Sequence, residues 1–461
     1  MDRHWRPVAL LSVVILCCLS LLSAGLAASV VTAGAPDGSE LWGYVEVRPK
    51  AHLFWWYYKS PSAQRVSTPS SPWPTVLWLQ GGPGASGVGI GNFLEVGPLD
   101  VDLNPRNSTW LHKADLIFVD NPVGVGYSYA EDASALVTSD WEAAADATAL
   151  LKALAEEVPA LRDGSPLFLV AESYGGKYAV TLGVSAVRAI HAGELNLTLA
   201  GVALGDSFIS PEDFALSYAP LLLDVSRLDD NTGDAAKGKA ASVKEQIAAG
   251  QFATAWSSWA DLLGFIDSKS AGVDTYNFLL DTGMDPVSTT SSSSMAATTN
   301  AQTVKYSTYL SRKEATSGPN TIDGIMNGVI KEKLKIIPNN LTWHGMSELV
   351  CNALVNDIMK PRIDEAILKS SESVLVKLDV ICSTIGAEAW VQKLKWDGLK
   401  NFTSLPRQPL YCGSSKVTQA FVRSYKNLHF YWILRAGHFV PADQPCIALS
   451  MISSITQSPA S

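Results

Sequence analysis

Residues 169–180 read LVAESYGGKYAV, an apolar run that reaches Ser173 and continues into paired glycines. The run is typical of a buried strand, and the glycines would let a following helix pack closely. A nucleophile elbow of the G-x-S-x-G type has this arrangement, with a sharp strand-to-helix turn that exposes a serine hydroxyl. Here Ala171 replaces the first glycine, so the motif reads A-E-S-Y-G. Close packing against a sheet is the competing explanation, and the rest of the chain must decide.

Short apolar segments recur on both sides of this stretch. Those that predict strands are residues 52–58, 75–80, 115–120, 166–171, 197–206, 373–381 and 429–435. Between the third and the fourth, apolar residues at helical spacing predict a helix that starts at Asp140. Strands that are apolar throughout and alternate with helices predict an α/β fold, with a central, mostly parallel sheet flanked by helices on both faces.

The middle of the chain breaks this pattern. Residues 211–349 are helical and irregular, and the run STTSSSSMAATTN at 288–300 is a low-complexity segment that cannot build a core. Strand patterns return later and need a sheet to join. We therefore predict one sheet domain built from residues 29–210 and 350–461, interrupted by an inserted helical cap at 211–349 with a disordered loop near 288–300.

The bulk composition and the N-terminus exclude some classes of protein. The net charge of −9 argues against a nucleic-acid partner, because phosphate binding needs a basic face. Residues 1–28 carry Arg3 and Arg6 before an apolar stretch that closes on small residues, which favours a secretory signal peptide over the alternative of a membrane anchor. No other apolar stretch is long enough to cross a bilayer, so we expect no membrane association after signal removal. The sequence does not indicate an oligomeric state.

Sequons and cysteines agree with the secretory route. The four Asn-x-Ser/Thr sequons, which predict glycosylation, are at Asn107, Asn196, Asn340 and Asn401. Two of the six cysteines lie in the signal segment. The other four, Cys351, Cys382, Cys412 and Cys446, permit three complete pairings, and a free thiol is equally open. None has zinc-site spacing, so no metal and no cofactor is predicted.

A serine nucleophile needs a base, and histidine suits that task. Of the seven histidines, His438 alone follows both Ser173 and a predicted strand directly, in the turn RAGHFVPADQP. An acid should end a strand between the two, and Asp379 in VLVKLD does so. A turn histidine bonded to backbone, and an aspartate that caps the next segment, are the alternative interpretations. We predict the triad Ser173, Asp379 and His438.

Two N–H groups must face the oxyanion of the reaction. One comes from the residue after the nucleophile, Tyr174. The stretch WLQGGPGASGVGIGN at 78–92 supplies a glycine-rich loop after an earlier strand, and Gly82 is the predicted second donor. A phosphate cradle is the competing explanation, but the chain has no G-x-x-x-x-G-K-[ST] pattern.

Four blocks together resemble a known family. WLQGGPG, DNPVGVGYSY, AESYGGKY and AGHFVPADQP, in this order, resemble the signature blocks of the serine carboxypeptidases, and most closely the retinoid-inducible serine carboxypeptidase subgroup and its plant counterparts. The resemblance covers nearly all of the chain after the signal. It implies an α/β-hydrolase fold with an inserted cap, and removal of C-terminal amino acids from peptides. It also implies an acid compartment, so that we expect a protein that is secreted or delivered to the lysosome or vacuole.

The resemblance further implies a site for the free carboxylate of the peptide. The matching positions are Gln80, Gly81, Glu172 and, in the segment EVGP, Glu95. Gln80 stands where the family usually has asparagine. The turn before Asp379 in VLVKLD is several residues shorter than in the family, which leaves the position of this aspartate open.

Three functions are compatible with these residues. The leading hypothesis is a serine-type carboxypeptidase that acts through an acyl-enzyme on Ser173, favoured at acid pH, on peptides with a free C-terminus. An acyltransferase would use the same acyl-enzyme and differ only in the acceptor. A catalytically weak secretory binding protein is the third, and the short VLVKLD turn is its support.

Overall fold

The computed structural model describes residues 30–61, 72–282, 284, 321–366, 371–376 and 379–458. The predicted signal peptide at 1–28 and the predicted loop at 288–300 lie outside these residues. Within the described part of the chain, no helix is long and apolar enough to cross a membrane.

One mixed sheet organises the described chain. Its twelve strands are β1 Val30–Gly34, β2 Glu40–Arg48, β3 Ala51–Tyr58, β4 Thr75–Leu79, β5 Asp115–Val119, β6 Tyr129–Ala130, β7 Leu167–Glu172, β8 Leu199–Gly205, β9 Ser371–Val376, β10 Gln408–Leu410, β11 Ala420–Tyr425 and β12 Leu428–Ile433. They are ordered β1-β2-β3-β5-β4-β7-β8-β9-β12-β11-β10, and β6 pairs with β3. Each of the seven predicted segments contains a strand.

The six strands β5, β4, β7, β8, β9 and β12 run parallel in the centre of the sheet. Strands β4, β5 and β7 are buried along their whole length, as expected from their mostly apolar sequences. The predicted parallel core is thus confirmed. The strands that were not predicted, β1, β2, β6, β10 and β11, are antiparallel and lie toward the edges.

The chain order changes direction between β4 and β7. Strand β4 is followed along the chain by β5 on one side, whereas β5 is followed through a helix by β7 on the other side. In parallel sheets such a reversal opens a crevice at the carboxyl ends of the two strands, and ligands bind there. The loops after β4 and β7 are those that carry the oxyanion and serine motifs.

Helices pack on the sheet and also occupy much of the described chain between β8 and β9. The helices of four or more residues are Gly87–Val96, Asp140–Glu157, Pro159–Arg162, Gly175–His191, Pro211–Asp224, Asp230–Ala248, Phe252–Lys269, Ile322–Ile325, Met326–Ile330, Lys331–Leu334, Glu348–Ala353, Thr384–Val391, Leu399–Ser404, Val440–Asp443 and Pro445–Ile455. The helix predicted from Asp140 begins there because the Ser139 side chain accepts the Glu142 N–H. The helix Phe252–Lys269 buries Ala255, Trp259, Leu262 and Ile266, which share one face.

Two local features add to the sequence-based expectation. One is the conformation of the glycine-rich stretch after β4, and the other is the pairing of the cysteines. The glycine-rich stretch after β4 is not a loop throughout, because Gly87–Val96 forms a π-helix whose first turn is capped by the Ser86 side chain. Among the cysteines, Cys412 and Cys446 form a disulfide, while Cys351 and Cys382 keep their thiols. The four cysteines in the described part of the chain therefore form one disulfide bond rather than two.

Candidate active site

Ser173 occupies a sharp turn between β7, which ends at Glu172, and the helix that begins at Gly175. Its φ of 58° lies in the left-handed region, which is uncommon for a residue with a side chain. The Ser173 N–H donates to Gly205 O at 2.9 Å, and the Ser173 carbonyl accepts from Phe208 N at 3.0 Å. These bonds to the turn after β8 hold the strained backbone, which is the geometry expected of a nucleophile elbow.

Two glycines are explained by close approach to this elbow. A Cβ on Gly175 would lie 2.1 Å from the Leu79 carbonyl oxygen, so the helix could not begin against the end of β4 with a larger residue. A Cβ on Gly81 would lie 2.5 Å from Ser173 Cβ and 2.8 Å from Tyr174 N. Gly175, two residues after the serine in the stretch 169–180, therefore allows both close helix packing and the nucleophile elbow. These two interpretations of the motif are compatible with each other.

His438 and Asp379 meet at the ends of neighbouring strands. His438 Nδ1 lies 2.6 Å from Asp379 Oδ2, and both side chains are buried. The same carboxylate oxygen accepts the Cys382 N–H at 3.1 Å, and the His438 N–H donates to Tyr276 O at 2.7 Å. The Tyr276 ring packs edge-on against the imidazole, with 4.7 Å between the ring centroids. The shortened turn of VLVKLD thus still delivers Asp379 to His438, with residues 377–378 outside the described chain.

A cavity opens beside Ser173 and includes the two predicted oxyanion donors. Gly82, Ser173 and Tyr174 form one part of its wall. The other wall is apolar and consists of Phe208, Trp256, Trp259, Tyr276, Ile358 and Ile381. The two tryptophans come from the helix Phe252–Lys269 of the insertion and stack with their ring centroids 5.0 Å apart. A helix from the stretch between β8 and β9, where the sequence predicts a cap, therefore supplies a side of the cavity.

The four residues matched to carboxylate binding also come together. Gln80 Nε2 donates to Glu95 Oε1 at 3.1 Å and to Glu172 Oε1 at 3.0 Å, and all three side chains are buried. The Trp78 indole N–H donates to Gln80 Oε1 at 2.7 Å. This bond fixes which end of the amide faces the glutamates, since an indole can only donate. Glu95 reaches the cluster from the π-helix Gly87–Val96, and Gly81 lies against Ser173 as described above.

A buried ionic cluster beneath the elbow was missed by the sequence analysis. Lys177 is fully buried, and its ammonium donates to the carbonyl oxygens of Asp357 and Ile358 at 2.9 and 2.8 Å. It also lies 3.5 Å from Asp140 Oδ2, a carboxylate that accepts the Tyr174 hydroxyl at 2.8 Å. Burial, opposed by the acids, lowers the pKa of Lys177 to about 8.

Arg362 completes this cluster. Its guanidinium donates to Asp140 Oδ2 at 2.9 Å and to Asp357 Oδ2 at 2.5 Å. Although burial opposes the charged form, hydrogen bonds to Asp140 N and Lys360 and the charges of Arg362 and Lys177 lower the pKa of Asp357 to about 2. The lysine in AESYGGKY was the available signal, since a charged residue inside a helix that must pack on a sheet requires a buried partner.

The four sequon asparagines are all exposed, so each carboxamide is on the surface. The Asn401 side chain donates to the Tyr425 hydroxyl at 2.8 Å, whereas the structure describes Asn107, Asn196 and Asn340 on exposed turns or loops.

The fold and this site define the class of the protein. A serine elbow after one strand of a parallel sheet, with an acid–histidine pair after two others, is the arrangement of the α/β-hydrolases. A solved structure with the same fold is a prohormone-processing carboxypeptidase, Kex1(delta)p, from Saccharomyces cerevisiae, with a TM-score of 0.71 at 19% identity over 92% of both chains.

The chain belongs to the serine carboxypeptidase family, whose model matches residues 32–458. It is 56% identical over 434 residues to serine carboxypeptidase-like 51 of Arabidopsis thaliana, covering 92% of this chain and 93% of that protein. It is 40% identical to the human retinoid-inducible serine carboxypeptidase, covering 95% and 96% of the two chains. The protein is thus an enzyme of the serine-type carboxypeptidase class, as the four sequence blocks predicted.

Proposed function

We propose that this enzyme removes the C-terminal residue of peptides through an acyl-enzyme on Ser173, and that it works best at acid pH. The observation that carries the proposal is the hydrogen bond between His438 and Asp379 at the edge of the sheet that also carries the Ser173 elbow. The short VLVKLD turn was the argument for a catalytically weak binding protein. Because Asp379 is hydrogen-bonded to His438, that turn no longer supports this third hypothesis.

The proposed chemistry follows from what each group can do. His438 Nδ1–H donates to Asp379, which leaves Nε2 to take the proton of the Ser173 hydroxyl as its oxygen attacks the peptide carbonyl. The N–H groups of Gly82 and Tyr174 stabilise the negative charge that forms on the carbonyl oxygen. The imidazolium then protonates the departing amine, and the C–N bond breaks. Water repeats the sequence on the ester and releases the shortened peptide.

The glutamate cluster is the proposed site for the free carboxylate of the substrate. Gln80 has two amide hydrogens, and both are used by Glu95 and Glu172. The amide therefore holds the two acids and has no hydrogen left for the substrate. A donor must come from a glutamate that retains its proton, since two close buried carboxyl groups do not both ionise without a large cost.

This arrangement supports an acid optimum with a definite cause. At acid pH one glutamate carries a proton that it can donate to the substrate carboxylate. Toward neutral pH both acids ionise and repel that carboxylate, so the Michaelis constant should rise while kcat changes less. The alternative acyltransferase would have no use for a proton at this position unless its acyl donor or acceptor also carried a carboxylate.

The apolar wall of the cavity supports a preference for large apolar side chains on the acyl side of the scissile bond. Trp256, Trp259 and Phe208 offer flat apolar surface next to Ser173. Filling such a surface favours an aromatic or branched side chain over a small one.

The experiment compares peptides that share an N-terminal block and a Phe–Leu ending but differ in having a free or an amidated C-terminus. We expect release of leucine from the free acid, strongest near pH 4 to 5, weak release from the amide, and none with Ser173→Ala. In the double variant Glu95→Gln and Glu172→Gln, the Michaelis constant should lose its pH dependence. Hydrolysis of both peptides at equal rates, or an unchanged pH dependence in the double variant, would contradict the carboxylate site.

The same assay separates hydrolysis from acyl transfer. Added alcohols or sugar-ester donors should leave the products of the wild-type enzyme hydrolytic. If acylated alcohols accumulate instead of free peptide, the acyltransferase is the better description. The N-terminal signal pattern and the exposed sequons support a secreted enzyme or one delivered to a lysosome or vacuole. Expression of the full chain in a eukaryotic host, with glycosidase treatment of the protein from the medium, tests this route.

A further inference from the structure

The turn after β8 carries an aspartate that no sequence motif singled out. Strand β8 lies between β7, which leads to Ser173, and β9, which leads toward Asp379. Its last residue is Gly205, and Asp206 follows directly. Ser173, Asp206, Asp379 and His438 thus follow the carboxyl ends of four neighbouring parallel strands, β7, β8, β9 and β12. The proposed triad uses all of them except Asp206.

Asp206 faces the same imidazole nitrogen as Asp379. Its Oδ2 lies 3.7 Å from His438 Nδ1, compared with 2.6 Å for Asp379 Oδ2. All three side chains are almost fully buried, at 1% exposure or less. The histidine thus has two carboxylates on its Nδ1 side, one hydrogen-bonded and one at ion-pair distance.

The backbone of the turn is built to hold this aspartate. Asp206 has a φ of 39°, in the left-handed region where aspartate is one of the few tolerated side chains. Gly205, which precedes Asp206, and Phe208, which follows two residues later, are both tied to the elbow, because Gly205 O accepts the Ser173 N–H and Phe208 N donates to Ser173 O. The strained turn is therefore fixed relative to the nucleophile.

We propose that Asp206 is a second positioning acid of His438, an assignment that rests on the proposed function of Ser173 and His438. A second carboxylate stabilises the imidazolium that forms when Ser173 gives up its proton, and it favours the tautomer with hydrogen on Nδ1. The groups that face His438 are Asp379, Asp206, the Cys382 thiol within 4.8 Å of the first acid and the imidazole, and the Tyr276 ring. The two carboxylates are the only members of this set that are acids with an ordinary pKa below 5.

This role predicts how the two acids respond to replacement. In Asp379→Asn, Asp206 still favours the productive tautomer, so turnover should fall by about 10²–10³ rather than the 10⁴ seen where a single acid serves the histidine. Asp206→Asn should lower kcat/KM by about tenfold and move the acid limb of its pH profile to lower pH by about half a unit or more, because the imidazole loses a neighbouring negative charge. The double variant should lose more than the product of the two single losses.

The experiment measures two rates for each variant against pH. One is kcat/KM for the blocked Phe–Leu peptide, and the other is the rate at which a fluorophosphonate probe labels Ser173, with Ser173→Ala as the blank. The labelling rate depends on the ionisation of His438 but not on the peptide site. A wild-type enzyme that is labelled but does not cleave peptides would refute the proposed substrate and leave the test of Asp206 intact. Absence of labelling in the wild type would refute both.

Two further variants separate a positioning role from a structural one. Asp206→Gly keeps the left-handed turn accessible without a carboxylate and should reproduce the shift seen with asparagine, even if one of the two variants folds poorly. Asp213→Asn removes another buried acid, bound to Lys393 and Ser210, and should leave the acid limb in place. An acid limb that does not move in either Asp206 variant, together with a double variant no worse than Asp379→Asn, would overturn the proposal.

Discussion

Asp120, which follows β5, links the stability of the enzyme to acid pH. It is fully buried and accepts hydrogen bonds from Ser86 Oγ, Val88 N at 3.1 Å and Tyr127 N at 2.8 Å. Through Ser86 and Val88 it holds the first turn of the π-helix that carries Glu95. Burial raises the pKa of Asp120 to about 6, although the three hydrogen bonds act in the opposite direction.

The sign and size of the effect follow from the two pKa values. The pKa of an unfolded aspartate is about 3.9, whereas burial raises the pKa of Asp120 to about 6, so the folded state binds the proton more tightly. Its contribution to stability is fully present below about pH 4 and is lost as the pH rises through 6. A difference of about two units corresponds to about 3 kcal/mol of unfolding free energy.

The variant Asp120→Asn measures this contribution. Asparagine cannot titrate, and it replaces the acceptor of the Tyr127 N–H with an amide that donates, so the variant should be less stable than the wild type at pH 4. Between pH 4 and 7 the wild type should lose about 2–3 kcal/mol relative to the variant, and the gap should close or reverse. Equilibrium unfolding in urea at four or five pH values gives the difference directly, and contributions of other groups cancel.

A matched variant has the opposite sign. Asp132 is exposed and caps a short turn, and its hydrogen bonds to Ser134 lower its pKa. Its contribution is present above pH 4 and is lost on acidification, so Asp132→Asn should approach the wild type as the pH falls. A stability difference for Asp120→Asn that stays constant from pH 4 to 7, or that grows with pH, would refute the reasoning.

Three further outcomes are expected. Lys177→Met should lower the unfolding free energy by about 3–5 kcal/mol in urea, because it leaves the buried Asp140 and two carbonyl groups with one cation fewer; a loss below 1 kcal/mol would contradict the buried pairing. Gly81→Ala should abolish both peptide cleavage and fluorophosphonate labelling in a folded enzyme, since the new methyl would lie 2.5 Å from Ser173 Cβ; retained labelling would contradict it. Trp256→Ala should lower kcat/KM for peptides with phenylalanine on the acyl side by about tenfold relative to those with alanine, and an equal loss for both would argue against the proposed pocket.

The sequence predicts the centre of this fold better than its edges. Strands β4, β5 and β7 are buried at every position and, apart from Thr75, Asp115 and Glu172 at their ends, are apolar, a pattern that can be recognised in the sequence alone. Strand β2, which lies next to the edge strand β1, has the sequence ELWGYVEVR, and its partners are fixed by hairpins with β1 and β3 rather than by its own pattern. Pairing of this kind depends on where neighbouring strands fall in space.

The residues of the candidate active site could be proposed from the sequence where a motif coincides with the end of a predicted strand. Ser173 directly follows strand β7, and His438 lies in the turn after β12, so chain order and position agree. Lys177 and Asp206 were missed for different reasons. The partners of Lys177 come from residues 140, 357 and 358, which no local pattern joins. Asp206 follows a strand, as Asp379 does, and its sequence context is that of an ordinary capping residue. Its role becomes visible only through the 3.7 Å distance between its carboxylate and His438 Nδ1.

Gln80 shows why a change from the family residue can be interpreted only with its surroundings. From sequence, the substitution of glutamine for asparagine suggests a longer arm toward the substrate carboxylate. In the structure the Trp78 indole holds the amide oxygen, and the amide nitrogen spans Glu95 and Glu172. The extra methylene therefore serves to bridge two acids. Because that bridge uses both amide hydrogens, our proposal assigns recognition of the substrate carboxylate to a proton on Glu95 or Glu172, and it therefore makes the Michaelis constant depend on pH.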